Sequence, residues 1–341
     1  MKKSKLSKKT VAAIISVAVA AVIITALLIV NIFFPLKYFT AYLVGRKRSP
    51  QGALYFHVLD VGHADCAIAE LPDGKTMLID GGDGSYTTTL KILTQLNRLD
   101  IDYIDYLVCT SVKAEHCGGL AEIISNKTVG EIFYPYSTNR YITREFAAFM
   151  SAAASSGARL TVGEYGAGAV SGDFYFTYLS PDVHTAPGGE YQAMNSSPTA
   201  ANIDAASAIL WLEFAGRGML YAGDAPAATL EALADEYEQL SQIEGDGYFE
   251  YCGHAIDFSR CTLYKAAGHG GEGYASAKLS DLLSPDVSVI SVGEGNGEGC
   301  PSLEAMADLL AHGQLYITMY RGDITCTVSQ NGELSVSAAR S

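Results

Sequence analysis

Residues 51–341 predict an α/β domain, and three observations carry that prediction. Apolar runs of strand length alternate with helical periodicities from one end of the region to the other. No internal repeat and no second core interrupts the alternation. With 49% hydrophobic residues in a chain of 341, there is enough apolar material for one sizeable core.

The elements follow in order. LYFHVLDVGHADCAIAEL reads as a strand, a tight D-V-G turn and a second strand, and Pro72, Asp73 and Gly74 form a hairpin turn into TMLIDGG. Residues 86–99 place Leu90, Ile92, Leu93 and Leu96 at helical spacing, and YIDYLVC is the next strand. A polar loop follows from Thr110, with Gly118 and Gly119 opening a helix over about 118–126. Strand EIFYP, a helix over 143–156 and glycine-separated strands across 157–180 come next. Asp182 to Ala206 is polar and rich in Pro, Gly and Ser, which predicts a lid or a plain loop. SAILWLEF and MLYAGD are paired strands around an Ala215–Gly218 turn, followed by an acidic helix from Pro226 to Gln242. Glu244 to Arg260 reads as an insertion. Strand CTLYKA, helix 275–283, strand VSVISVG, helix 302–312 and two closing strands complete the domain.

Ahead of it lies a different kind of segment. Residues 1–9 are basic, and Thr10 to Leu36 carries no charge. As a helix these 27 positions span about 40 Å, enough to cross a bilayer with tilt. Phe33, Phe34, Pro35 and Leu36 offer no small-residue cleavage site, so an uncleaved anchor is expected rather than a signal peptide. Five lysines before the span favour a cytoplasmic N-terminus, weakened by Lys37, Arg46, Lys47 and Arg48 beyond it. The expected organisation is a basic cytoplasmic tail (1–9), a single-pass anchor in the cell membrane (10–36), a linker (37–50) and an extracellular domain (51–341). A cytoplasmic domain is the competing reading.

Charge limits the partners. The net charge is −14, but residues 1–50 hold 9 of the 23 Lys and Arg and no acid, leaving 14 basic against 37 acidic residues beyond them, a balance of −23. A surface of that sign repels polyanions, so strong duplex DNA binding at physiological salt is not expected. The protein partner and the small-molecule or ester substrate are not specified. Seven cysteines are odd in number and lack a C-x-x-C pair. Cys109, Cys261 and Cys326 fall in apolar strand patterns and read as core.

Several motifs then occur in a fixed order. LDVGHADC (59–66) matches D-V-G-Q-G-D-S, and LPDGKTMLIDGG (71–82) matches L-P-D-G-x-x-x-L-I-D-x-G. TSVKAEHCGGL (110–120) has the frame of a T-H-x-H-x-D-H loop followed by G-G, and MLYAGD (219–224) matches L-L-x-G-D. KAAGHGG (265–271) and VISVGEGNGEGCPS (289–302) match K-x-x-H-H-G-S and V-I-S-V-G-x-x-N-x-x-G-H-P-S. In these stretches residues 54 to about 330 resemble the metallo-β-lactamase fold, specifically the hydrolase domain of ComEC-type competence proteins and its stand-alone relatives. The resemblance implies a four-layer αβ/βα sandwich with metals at the edge where strand-end loops converge.

It also implies roles, residue by residue. The first two loop histidines of the family stand here as Ser111 and Lys113, and serine is a poor ligand while an ammonium opposes a dication, so that metal site is expected to be lost. The second metal's ligands correspond to Glu115, His116, Asp224 and His269, a set suited to a single zinc or manganese ion. Glu115 or Asp224 would also orient the attacking water. Asp60, Asp65 and Asp80 would support the loops, and His63 and Cys300 replace a glutamine and a histidine of the family pattern. Lys113 could supply a fixed positive charge in place of the missing cation, or be a solvated loop lysine. Cys66, Cys117 and Cys300 could gather into a His/Cys cluster with His63, or be unrelated small residues. Asp224 could instead be a helix cap, His116 a loop hydrogen-bonder and His269 a turn residue, with no metal bound at all. Two functions therefore stand side by side: a single-metal hydrolase of phosphodiesters or related esters, and a non-catalytic binding or scaffold domain.

Overall fold

The computed structural model describes residues 7–33, 46–139, 142–244, 249–251 and 253–340. Most of the expected basic tail and of the linker, and the last residues of the expected anchor, lie outside the described residues. The chain divides into two units, Met1–Arg46 and Lys47–Ser341. Among the described residues the first contains one helix, Lys8–Phe33, whose apolar residues up to Ile29 are exposed and which is long and apolar enough to cross a membrane.

The second unit is a mixed α/β domain built on two sheets. Its strands are β1 (Leu54–Val58), β2 (Ala67–Glu70), β3 (Thr76–Ile79), β4 (Tyr103–Val108), β5 (Thr128–Tyr134), β6 (Arg159–Val162), β7 (Gly168–Ser171) and β8 (Phe174–Ser180). They continue with β9 (Ile209–Phe214), β10 (Arg217–Tyr221), β11 (Phe249–Tyr251), β12 (His254–Ile256), β13 (Cys261–Lys265), β14 (Val287–Ile290), β15 (Gln314–Ile317), β16 (Ile324–Val328) and β17 (Leu334–Ala338). One sheet has the order β17-β16-β1-β2-β3-β4-β5-β6 and the other β15-β14-β13-β10-β9-β8-β7, with β11 and β12 a separate hairpin.

Strand periodicity explains the layering. Successive side chains point to opposite faces, so Met77 and Ile79 enter the space between the sheets while Leu78 points to the helices outside. In the facing sheet Leu210, Leu212 and Phe214 point between the sheets, and Ile209 and Trp211 point outward. Both faces of the central strands are thereby buried, which is why these strands read as unbroken apolar runs. Ile92, Leu96, Leu120, Ile123, Phe146 and Phe149 cover one outer face; Leu230, Leu233, Leu279, Leu283 and Leu309 cover the other. The result is helix, sheet, sheet, helix. Each fully buried Leu, Ile or Phe contributes about 1.5–3 kcal/mol against chain entropy.

Two expectations need correcting. Residues 182–206 are not a bare loop: Glu190–Ser196 and Ala200–Ala205 are helices. Tyr191 and Met194, three positions apart, are buried from the first, and Thr199 caps the second through Asn202 N–H. The chain also closes with three strands, β15 to β17, rather than two, because a short helix at Thr318–Arg321 separates β15 from β16. The described part of the expected 244–260 insertion is the β11–β12 hairpin and a 3-10 turn at Phe258–Arg260.

The fold positions a site through its parallel strands. β3 and β4 run parallel, as do β10, β13 and β14, so the loops after their C-terminal ends leave on one edge. Asp80, Thr110, Asp224, His269 and Ser291 stand in those loops.

Candidate metal centre

Backbone bonds lock the loops before any side chain acts. Asp65 N–H donates to Glu115 O at 3.0 Å, Gly81 N–H to His116 O at 2.7 Å, and Asp80 N–H to Val108 O at 2.8 Å. Ala208 N–H donates to Thr110 O at 2.8 Å, joining the second sheet's loops to the first's. A Cβ at Gly119 would collide with the Gly81 carbonyl, and one at Gly118 with the Asp83 backbone, so the G-G pair is required by close approach. Asp80 (φ 61°) and His269 (φ 55°) sit in the left-handed region, a strain of order 1–3 kcal/mol each that the surrounding bonds must hold.

His116 is fully buried at the end of the turn Ala114–Cys117. Its Nδ1 lies 2.9 Å from Asp80 Oδ2, and Thr110 donates N–H and O–H to the two Asp80 oxygens at 2.8 and 2.6 Å. A ring held through Nδ1–H to a carboxylate presents Nε2 as a lone pair, the arrangement metal-binding histidines use. His269 repeats it: Nδ1 lies 2.8 Å from Ser291 O, so Nδ1–H donates there and Nε2 is left as the acceptor. Asp224, 1% exposed, lies between them, with Oδ2 at 3.0 Å from His116 Nε2 and Oδ1 at 3.9 Å from His269 Nε2. His116 Nε2, His269 Nε2 and Asp224 Oδ1 are all buried with no hydrogen-bond partner among the described residues. These three residues offer ligand atoms within 4.8 Å of one another.

That combination fits a cation. The 3.0 Å contact is not aligned as a hydrogen bond, yet two ligands each about 2.0–2.2 Å from one zinc ion lie roughly 3 Å apart. Two imidazole nitrogens and a carboxylate suit zinc or manganese. A proton is the competitor. Burial disfavours the His116 imidazolium, but Asp224 and then Asp80 outweigh it and hold its pKa well above the usual histidine value. Burial lowers that of His269. Burial also opposes ionised Asp224, but His116, His269 and Lys113 hold its pKa well below the usual carboxylate range.

Lys113 faces the same carboxylate from outside. Its Nζ lies 2.7 Å from Asp224 Oδ2, 3.0 Å from Asp204 Oδ1 and 3.1 Å from Glu115 Oε1. Its ammonium is therefore held by three acids, and although burial opposes the charge, Asp224 and Glu115 raise its pKa. Glu115 leans on Lys113 and is not among the residues within ligand distance of His116, Asp224 and His269. Burial opposes its charge too, and Lys113 lowers its pKa.

The remaining candidates divide. Asp65 is buried beside His116 and bonded to the Lys265 ammonium. Burial would raise its pKa, but Lys265 brings it below the ordinary value; burial raises that of Asp80. Asp60 lies apart, bonded through its backbone to Asp323 and Lys91 and through its carboxylate to Arg340, because the D-V-G turn is braced against the C-terminal strands. Ser111 is buried, is not in the group of His116, Asp224 and His269, and its Oγ accepts Lys113 N–H at 3.4 Å. Cys66, Cys117 and Cys300 do not form one cluster: the Cys117 thiol points at Val112 O, whereas Cys300 lies with His63 and Glu298. Asp204, Lys265, Thr110 and Ser291 were not anticipated as site residues. Lys265, Thr110 and Ser291 each stand inside a matched motif, whereas Asp204 carried no signal.

No family model and no curated protein matches the sequence. Its structural neighbours are metallo-β-lactamase-fold proteins. A point mutant of the CmlA β-hydroxylase aligns with TM-score 0.47 and 15% identity over 82% of this chain and 54% of its own, so the chain spans about half of CmlA's length. CmlA from Streptomyces venezuelae is described as a diiron β-hydroxylase. The metallo-β-lactamase-fold protein YhfI from Bacillus subtilis aligns with TM-score 0.44 and 8% identity over 83% of this chain and 100% of its own. A diphosphatase of the PhnP family aligns with TM-score 0.42 and 14% identity over 84% and 98%.

Proposed function

We propose that this chain is a hydrolase of phosphodiesters or related esters that works with one divalent cation, held by His116, Asp224 and His269. The observation that supports it is the convergence of three buried polar atoms that have no hydrogen-bond partner among the described residues. Leaving such atoms unsatisfied costs about 1–3 kcal/mol each, so a site that collects three of them is arranged for a ligand. A cation bound there supplies Lewis acidity at the phosphoryl oxygen and lowers the pKa of water. Lys113 supplies the second positive charge, in the place that Ser111 and Lys113 vacate as ligands. Its ammonium keeps Asp224 and Glu115 ionised and faces an incoming anion. Glu115, anchored on one oxygen and partly open to solvent, is the group that orients an attacking water. The acidic surface argues for small esters rather than nucleic acid, and duplex binding with a steep salt slope would contradict that restriction.

The test is hydrolysis of bis(p-nitrophenyl) phosphate by the full chain in detergent with added zinc or manganese. The expected result is metal-dependent turnover that falls at least about 100-fold in His116→Ala, since the Nε2 ligand is gone. Equal turnover in His116→Ala would overturn the assignment.

We further propose that the helix Lys8–Phe33 anchors the domain to the cell membrane with the N-terminus in the cytoplasm. Its length and apolarity support this. Protease added to intact cells is expected to degrade residues 51–341, and full protection until lysis would contradict it.

A further inference from the structure

We propose that His63, Glu298 and Cys300 form a second cation site, for a borderline-soft divalent metal such as zinc, next to His269. The site stands whether or not the inner cluster is catalytic.

Its ligand atoms lie within 4.8 Å of one another, although His63 and Cys300 come from loops more than 200 positions apart. His63 Nε2 is 3.3 Å from Glu298 Oε2. The contact does not explain the rest of the ring, because His63 Nδ1 is buried with no partner among the described residues. The Cys300 thiol is free and buried beside them. The His63 ring packs against the His269 ring with centroids 4.3 Å apart, which places the group beside one of the inner ligands.

Loop packing positions these ligands. Gly293 packs so tightly on the Gly62–His63 backbone that a Cβ there would come within 2.6 Å of His63 N. Asn296 then braces the loop carrying the other two ligands. Its side chain accepts Cys300 N–H at 2.9 Å and donates to Cys300 O at 2.7 Å and Gly293 O at 2.9 Å. Imidazole, carboxylate and thiolate together are a zinc-type donor set, and three protein ligands leave a fourth position for water or an incoming anion. Binding displaces one proton, from the Cys300 thiol to solvent, as the sulfur–metal bond forms. A chain that has lost ligands at Ser111 and Lys113 thus carries new ones at His63 and Cys300.

Cobalt(II) titrated into the reduced full chain in detergent tests this, because a thiolate-to-cobalt charge-transfer band reports sulfur ligation and the inner residues supply no sulfur. The expected result is a band in the parent and in His116→Ala, lost in Cys300→Ser. His63→Ala and Glu298→Gln, the latter at an exposed side chain, should weaken cobalt binding by more than about tenfold. No band in the parent would overturn the proposal. So would a band that survives in Cys300→Ser, which would place the sulfur elsewhere. A band lost only in Cys300→Ser and unchanged in both His63→Ala and Glu298→Gln would show a lone reactive thiol, and would overturn it too.

Discussion

Lys265→Met should lower the unfolding free energy by about 3–5 kcal/mol, the cost of stripping one partner from a buried ion pair. Lys265 is 1% exposed and its ammonium is bonded to Asp65, which is 0% exposed, with the Tyr221 ring 5.1 Å from the nitrogen. Without it the Asp65 carboxylate would remain near Asp80 and Asp224 with no lysine paired to it. The pH dependence has a definite sign. Burial alone would raise the pKa of Asp65, but Lys265 brings it below the ordinary carboxylate value, so in the parent the pair's stabilisation is present above that value and lost as pH falls through the depressed one. In Lys265→Met the carboxyl pKa rises instead, and the deficit should shrink on acidification as Asp65 takes up a proton. Urea denaturation at neutral and mildly acidic pH measures both effects. Adding Asp65→Asn should recover much of the loss, since it removes the unpaired charge. A deficit below about 1 kcal/mol would show that water reaches this pair.

Asp224→Asn should reduce cation affinity by at least about 100-fold, because the residue lies against both ligand histidines and Lys113: His116 at 3.0 Å, His269 at 3.9 Å and Lys113 at 2.7 Å. It should also move the proton that competes with the metal. Burial opposes the His116 imidazolium, and Asp224 is the leading influence that overcomes it. In the parent, metal binding is therefore expected to weaken as pH falls through the raised His116 value, since an imidazolium cannot ligate. In Asp224→Asn that value should drop, shifting whatever affinity remains to a lower pH. Calorimetric titration of zinc across neutral pH reads both shifts. Unchanged affinity would remove Asp224 from the site.

The layers were legible because strand and helix periodicities differ and both faces of the central strands are apolar. The loops that gather His116, Asp224 and His269 were legible because these residues stand in motifs that occur in a fixed order along the chain. Lys113 was recognisable as a charge in place of a ligand, although the choice between a fixed cation and a solvated side chain was not. That choice depends on Asp204, which reaches Lys113 from a segment whose Pro, Gly and Ser content suggests a loop. The first of its two short helices is held by tertiary burial of Tyr191 and Met194, a cause that local composition does not record. The Asp65–Lys265 pair spans 200 positions, and no periodicity links its halves. For Asp60 the D-V-G motif suggested the metal edge, yet its backbone and side chain are tied to Lys91, Asp323 and Arg340.

The most direct measurement is the metal content of the full chain carrying Cys300→Ser, which silences the outer thiolate while leaving His116, Asp224 and His269 untouched. After equilibrium dialysis against zinc or manganese, elemental analysis should find about one ion per chain, and none when His116→Ala is added. Two ions per chain would contradict the loss of the site at Ser111 and Lys113. No ion in a folded chain would contradict the cation centre itself and leave a protonated His116, between Asp80 and Asp224, as the charge that holds the cluster together.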